Sequence, residues 1–331
     1  MVLSREQFAL NPLQWVTAAE GSAGDGSPDG SGFFGDPTSS ARYRRILEEV
    51  RASGFGAVMM KVPAGQSAHQ YLEMIHAVGL RPAPGYVQVT LPEDLGASLR
   101  PGSASWSGWF DVVRRRAEES RACGLDAVFL ASDIQPGGRV RVDRACAVGA
   151  GFDQSRLERV TELIGEAAEV LYGEGVRAAL HNHVGTWIET EAEIEHVLAS
   201  IDPTRLGAGF DIGHLFWAGI DPARMVRRHA DRLVALHIKD MDASAAVRSR
   251  AVPTPYAQAA ATGIFREPGL GDIDLGAVLG GLPDGFGGWL VVEVDRASMP
   301  PLASACESWR WVRQVCDDWY DIHTIETGSG S

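Results

Sequence analysis

The sequence predicts an α/β protein built as a single (β/α)8 barrel, and three observations carry that expectation. Eight short apolar runs alternate with eight helical stretches from one end of the chain to the other, the order that gives parallel strands joined by right-handed helical crossovers. Each run is close to continuously apolar, as in strands covered on both faces. The 331 residues exceed the roughly 250 of an ordinary barrel, which leaves room for insertions.

The predicted strands follow in order. Pro12–Val16 opens the barrel with Leu13, Trp15 and Val16, and Ala57–Val62 continues with Val58, Met59 and Met60. Arg81–Val89 is the third, Ala127–Ser132 the fourth, and Arg177–His183 the fifth, whose apolar part is Ala178 to Leu180. Leu206–Ile212, Leu233–Lys239 and Trp289–Val294 complete the set. Between them the helical stretches are Ser40–Ala52, Gln66–Val78, Trp106–Cys123, Phe152–Glu174, Thr190–Ala199, Asp221–His229, Leu275–Leu282 and Leu302–Trp319.

Two insertions are expected. Residues Gly21 to Ser40 are dense in Gly, Ser, Asp and Pro around Phe33 and Phe34 and read as a loop after the first strand, whereas Met241 to Asp274 separates the seventh strand from its helix. In a barrel both emerge on the C-terminal face, where active sites lie, so each is a candidate lid, docking surface or solvated loop. One domain, residues 1–326, is expected, with 327–331 as a disordered tail.

Charge and composition exclude several classes. Lys+Arg 30 against Asp+Glu 43 gives a net charge of −13, which repels a phosphate backbone, and the longest basic run is only Arg114-Arg115-Arg116. Nucleic acid is therefore not an expected partner. No apolar run approaches the 18 or more residues of a membrane span, and the N-terminus lacks a basic region followed by an apolar one, so a cytoplasmic protein is expected. The four cysteines, Cys123, Cys146, Cys306 and Cys316, form no C-x-x-C pair and read as reduced thiols.

The chemistry is concentrated where the last four strands end. Strand five ends His181-Asn182-His183-Val184-Gly185-Thr186, strand six Asp211-Ile212-Gly213-His214, strand seven His237-Ile238-Lys239-Asp240 and strand eight Glu293-Val294-Asp295. Consecutive strand ends are neighbours around one rim, so these side chains can converge. His181, Asp211, His237 and Glu293 make a mixed nitrogen and oxygen donor set suited to Mn2+ first, and also to Zn2+, Co2+ or Fe2+, with positions left for substrate oxygens. A barrel kept only as a scaffold would not require polar groups at four adjacent strand ends.

On these motifs the chain resembles the sugar phosphate isomerase/epimerase, or xylose isomerase-like, barrels, most strongly from Ala178 to Asp295. A glutamate is common in that family where His181 stands here. The His181-x-His183-x-Gly185-Thr186 run, the two following strand ends and the stretch Gly263 to Asp274 are more similar to the inosose dehydratase branch, as is Asn11-Pro12-Leu13-Gln14-Trp15. The Gly/Ser-rich insertion departs from it. Val62-Pro63-Ala64-Gly65 and Arg81-Pro82-Ala83-Pro84-Gly85-Tyr86 instead look like the large subunit of C-glycoside deglycosidases, metal-dependent lyases that split a 3-keto sugar from an aglycone. The resemblance implies enolisation of a keto sugar or keto-glycoside followed by β-elimination, with C-glycoside deglycosidase as the first reading. Inosose dehydratase, or a sugar isomerase or epimerase, is the alternative. It also implies a small partner subunit or a homo-oligomer.

The same chemistry assigns candidate roles. His183, two residues along the strand from His181, is the candidate base or proton shuttle, or a residue fixing a ligand. His214 is placed to contact substrate or a metal ligand, or to serve structure. Lys239 is a candidate to neutralise an enolate oxygen, in competition with an ion pair to Asp240 or Glu293. Asp133 and Trp15 are candidates for binding sugar hydroxyls and stacking on a ring. Trp187, with Phe216 and Trp217, is a candidate apolar wall or plain packing.

Overall fold

The apolar runs become the staves of a closed ring. The computed structural model describes residues 3–19, 40–100, 102–133 and 140–328. Its strands are Phe8–Leu10, Ala57–Met59, a third in two pieces (Arg81–Ala83 and Tyr86–Val89), Ala127–Ser132, Arg177–Leu180, Leu206–Ala208, Ala235–Ile238 and Trp289–Val292. All neighbouring pairs in this ring are parallel. The eighth strand lies between the seventh and the first, with Ala9 opposite Val291 and Val291 opposite His237, and closes the barrel. The sixth and seventh strands meet through the bridges Ala208 to Leu233 and Asp211 to His237.

The break in the third strand has a local cause. Pro84 supplies no N–H, and a Cβ on Gly85 would lie 2.5 Å from the Met60 carbonyl oxygen, so the backbone crosses closely there. The first piece pairs with strand two and the second with strand four, and Tyr86 begins the second.

One predicted strand is corrected. Pro12–Val16 is not a strand: Leu13–Ala19 is a helix, and the first strand is the preceding Phe8–Leu10. Pro12 fits the entry to a helix as well as a strand end, and Phe8-Ala9-Leu10 is the fully buried run. The loop expected at Gly21–Ser40 lies almost wholly outside the described residues; Ser40 itself begins the helix Ser40–Ser53. The Met241–Asp274 stretch is built rather than loose. It holds a two-stranded antiparallel ribbon, Asp240–Met241 with Phe265–Arg266, around the helices Ala243–Ala251 and Tyr256–Ala261. The last helix runs Pro301–Gly328, past the predicted end at Trp319 and into the expected tail, because no Gly or Pro interrupts it before Gly328.

Two cores result. Most of the burial lies between strands and helices, whereas the barrel interior is a small packed layer of Ala9, Ala57, Met59, Ala83, Phe129, Ala179, Ala235 and Val291. Five alanines leave space that Phe129 fills, and its ring forms the floor beneath the polar strand ends, 4.4 Å from the His237 ring centroid and 5.6 Å from that of His181. Among the described residues no helix is long and apolar enough to cross a membrane.

Candidate metal centre

The polar strand ends do converge. His181, Asp211 and His237 offer donor atoms that lie within 4.8 Å of one another, and all three are buried. Local structure fixes each one. Asp211 caps the helix Ile212–Trp217, its Oδ1 accepting the His214 N–H at 3.0 Å, and this leaves Oδ2 facing inward. His237 Nδ1 lies 2.9 Å from Glu293 Oε2, so the Nδ1–H donates to the carboxylate and Nε2 keeps its lone pair. That Nε2, like His181 Nδ1, is buried without a hydrogen-bond partner among the described residues.

Two residues to which the sequence pattern assigns no role of their own complete this half. The Tyr86 hydroxyl lies 3.1 Å from both His181 Nε2 and His237 Nδ1, and Asn11 Nδ2 donates to Glu293 Oε2 at 2.5 Å. Glu293 thus stands behind His237, its two oxygens engaged by Asn11, His237 and Lys239. With the first strand at Phe8–Leu10, Asn11 directly follows its end, in the rim position that the other strand ends occupy. Tyr86 was hidden in what read as the middle of one long strand.

Beside this half lies a second trio, His183, His214 and Asp295, also with donor atoms within 4.8 Å. The His183 and His214 rings are 3.7 Å apart at their centroids, and Tyr256, from the Met241–Asp274 stretch, donates its hydroxyl to Asp295 Oδ2 at 2.9 Å. His183 Nδ1 lies 2.7 Å from the Val184 carbonyl oxygen, which makes Nδ1 the protonated nitrogen and Nε2 the basic one. Lys239 is fully enclosed, with its ammonium 3.0 Å from Asp211 Oδ2, 2.9 Å from Glu293 Oε1 and 2.5 Å from Asp295 Oδ1. Of its two expected partners, Glu293 is therefore the real one. Asp240 instead accepts the backbone N–H groups of Met241, Gly269, Gly271 and Ile273 and pins the neighbouring loop.

Burial and charge set the protonation. Burial, reinforced by neighbouring His237 and His183, holds His181 well below the usual histidine range. Burial and the Lys239 charge hold His183 down at about 4, so it is neutral at pH 7. Burial lifts Asp211 to about 6 against the pull of Lys239 and His237. Asp295 is held well below the carboxylate range, because Lys239 and His214 outweigh the burial that would raise it.

The donor set fits a divalent cation. Among the described residues His181 Nδ1 and His237 Nε2 are buried without a hydrogen-bond partner, and the three carboxylates Asp211, Glu293 and Asp295 face one ammonium, which leaves two negative charges to be offset.

A cavity of about 550 Å³ opens beside the cluster on the side of strands one to four, and Asn11 and Tyr86 belong to both its wall and the cluster. Asp133 lines this cavity and accepts from Thr90 Oγ1 at 2.8 Å. Trp15 does not form its wall: Leu13 and Val16 do, while the Trp15 indole N–H donates to Glu49. Trp187 is packed elsewhere, with the guanidinium carbons of Arg141 and Arg156 at 5.0 and 4.6 Å from its ring centroid.

A family model described as xylose isomerase-like TIM barrel matches residues 47–315. The chain belongs to that family. The rhizopine catabolism protein MocC of Rhizobium meliloti is similar to this chain, 36% identical over 292 residues that cover 88% of this chain and 82% of that protein. An inosose dehydratase of Geobacillus thermodenitrificans (strain NG80-2) is 29% identical over 168 residues, or 50% of this chain and 56% of that enzyme, so the match spans a little over half of it. The solved structure of an IOLI protein with a bound zinc atom shares the fold, with a TM-score of 0.57 at 14% identity over 85% of this chain and 94% of that one.

Proposed function

We propose that this chain is a divalent-metal-dependent lyase that removes water from a keto-cyclitol of the inosose kind. The observation that carries the reading is the convergence of His181, Asp211 and His237, with orphaned imidazole nitrogens, at the rim of a barrel related to inosose dehydratases. The zinc atom bound by the IOLI protein supports a metal in a barrel of this fold, and the donor set here suits Mn2+ as well as Zn2+, Co2+ or Fe2+. These relatives favour dehydration over the cleavage of a C-glycoside.

His181, Asp211 and His237 would hold the ion, with Glu293 orienting His237 and Asn11 orienting Glu293. A cation bound there supplies Lewis acidity toward a ketone and its neighbouring hydroxyl. The chain's own residues then handle the proton. The base assigned to the C–H next to the carbonyl is neutral His183, whose Nδ1–H is held by the Val184 carbonyl so that Nε2 is the basic nitrogen. As the C–H bond breaks a C=C bond forms, the hydroxyl on the adjacent carbon departs, and the abstracted proton leaves with it as water. Lys239 and His214, with no exposed surface, support the carboxylates and His183 from behind. Asp133 and Tyr86 line the cavity for the remaining hydroxyls.

Incubation of EDTA-treated protein with 2-keto-myo-inositol, with and without Mn2+, tests this. Metal-dependent loss of one water from the substrate is expected. Release of an aglycone from a 3-keto C-glucoside with no dehydration would transfer the reading to a deglycosidase, and an isomer of unchanged mass would make it an isomerase or epimerase.

A further inference from the structure

The two buried trios share one cation. The Lys239 ammonium lies 3.0 Å from Asp211 Oδ2 in the first, and 2.5 Å from Asp295 Oδ1 and 3.1 Å from His214 Nε2 in the second. No member of the second trio is exposed by more than 6%, so bulk water does little to screen these charges.

A second, independent feature shows that the backbone makes a place for this side chain. A Cβ on Gly213 would lie 2.7 Å from Lys239 Cγ, 2.8 Å from its Cβ and 2.9 Å from its Cδ. Gly213 stands between Asp211 of one trio and His214 of the other, so the segment that supplies a donor to each also leaves the slot for the lysine stem. The Phe265 ring closes over the ammonium, its centroid 5.6 Å from Nζ.

We propose that Lys239 is a built-in cation standing in the second metal position, so that the centre takes one divalent ion, at His181, Asp211 and His237, and not two. His183, His214 and Asp295 form a two-nitrogen, one-carboxylate set of the kind that binds divalent metals when no other cation is present. The ammonium supplies the positive charge that this set and Glu293 require, and repels a second ion from the same carboxylates. Removing the charge while keeping the stem opens the second position. This inference rests on the metal reading above, but it fails separately from it.

The test is metal stoichiometry. Full-length protein is stripped with EDTA, equilibrated with Mn2+ and freed of excess, and bound ions are counted by elemental analysis alongside the electron paramagnetic resonance spectrum. Wild type is expected to hold one ion per chain with the signal of an isolated Mn2+ centre, and Lys239→Arg also one. Lys239→Met is expected to hold two, with a spin-coupled spectrum. Two ions in the wild type, or one in a folded Lys239→Met, would overturn the proposal. If Lys239→Met is unfolded without metal, the proposal requires Mn2+ to restore its circular dichroism with two ions bound, and a variant that stays unfolded counts against it. No ion in the wild type would instead overturn the metal reading itself.

Discussion

Replacing Arg141 by Met separates the scaffold of the site from its chemistry. Arg141 is fully buried and donates to the carbonyls of Ala150 and Thr186 and to both oxygens of Glu193, with Glu189 Oε1 a further 3.6 Å from its Nε. It thereby ties the segment after strand four to the loop that carries Thr186 next to His183. Methionine keeps much of the stem volume but leaves two buried glutamates without their cation. Glu189 keeps the N–H groups of Gly185, Ala147 and Gly149, and Glu193 keeps those of Glu189 and Thr190, so neither is stripped of partners. Breaking a buried pair from one side costs about 3–5 kcal/mol, a large share of the roughly 5–15 kcal/mol that holds a domain together.

The cost has a pH signature. Burial already holds the Glu189 carboxyl above its usual range, with Arg141 opposing the rise. Without Arg141 the folded-state value climbs further, and a carboxylate penalised on folding weakens the protein above its unfolded value of about 4.3 and more so as pH rises. The deficit of Arg141→Met relative to wild type is therefore larger at pH 8 than at pH 5. Equilibrium urea unfolding at the two pH values, with slopes compared to confirm the same transition, measures it. A loss below about 1 kcal/mol at pH 8, or a deficit that shrinks as pH rises, would mean that Arg141 does not offset these buried carboxylates.

Three further outcomes follow from the site. Asn11→Ala removes a hydrogen bond to Glu293 behind the metal ligand His237 and is expected to weaken Mn2+ binding about 10–100-fold by equilibrium dialysis, with the far-ultraviolet circular dichroism unchanged. Gly213→Ala drives a methyl into the buried lysine stem and is expected to cost about 1–3 kcal/mol in urea unfolding, where a substitution at an open glycine such as Gly56 would show no clash. His183→Gln keeps an amide in place of the imidazole and is expected to lower kcat for dehydration about 100- to 10,000-fold while bound metal stays at the wild-type level by elemental analysis.

Much of the barrel could be read from apolar runs, because strands covered on both faces leave little ambiguity. Ala127–Ser132 has the predicted limits, and the other predicted strands overlap the observed ones except the first. There Phe8-Ala9-Leu10 is too short to stand out beside the bulkier Leu13, Trp15 and Val16, which helix packing also accommodates. The strand ends overshot for a physical reason. Predicted runs continued to His183, Ile212, Lys239 and Val294, but ladder pairing stops earlier, where the polar side chains turn inward and the chain begins its loops.

The convergence of His181, Asp211 and His237 was legible because strand order alone brings consecutive rim positions together. Asp240 and Lys239 were not distinguishable by sequence: adjacent residues at a strand end point in different directions, one to the loop N–H groups and one to the cluster. Tyr256 could not be found either. It reaches Asp295 from an excursion whose fold depends on the ribbon pairing of Met241 with Phe265, a contact with no local sequence signal.

If this rim binds a divalent cation and dehydrates a keto-cyclitol, turnover depends on the ion. The most direct measurement is turnover of 2-keto-myo-inositol by EDTA-treated protein titrated with Mn2+, followed by mass spectrometry of the product. No turnover is expected without metal and, with it, a product lighter by one water that His237→Ala does not form. Equal turnover in the presence and absence of metal, or full activity in His237→Ala, would contradict it.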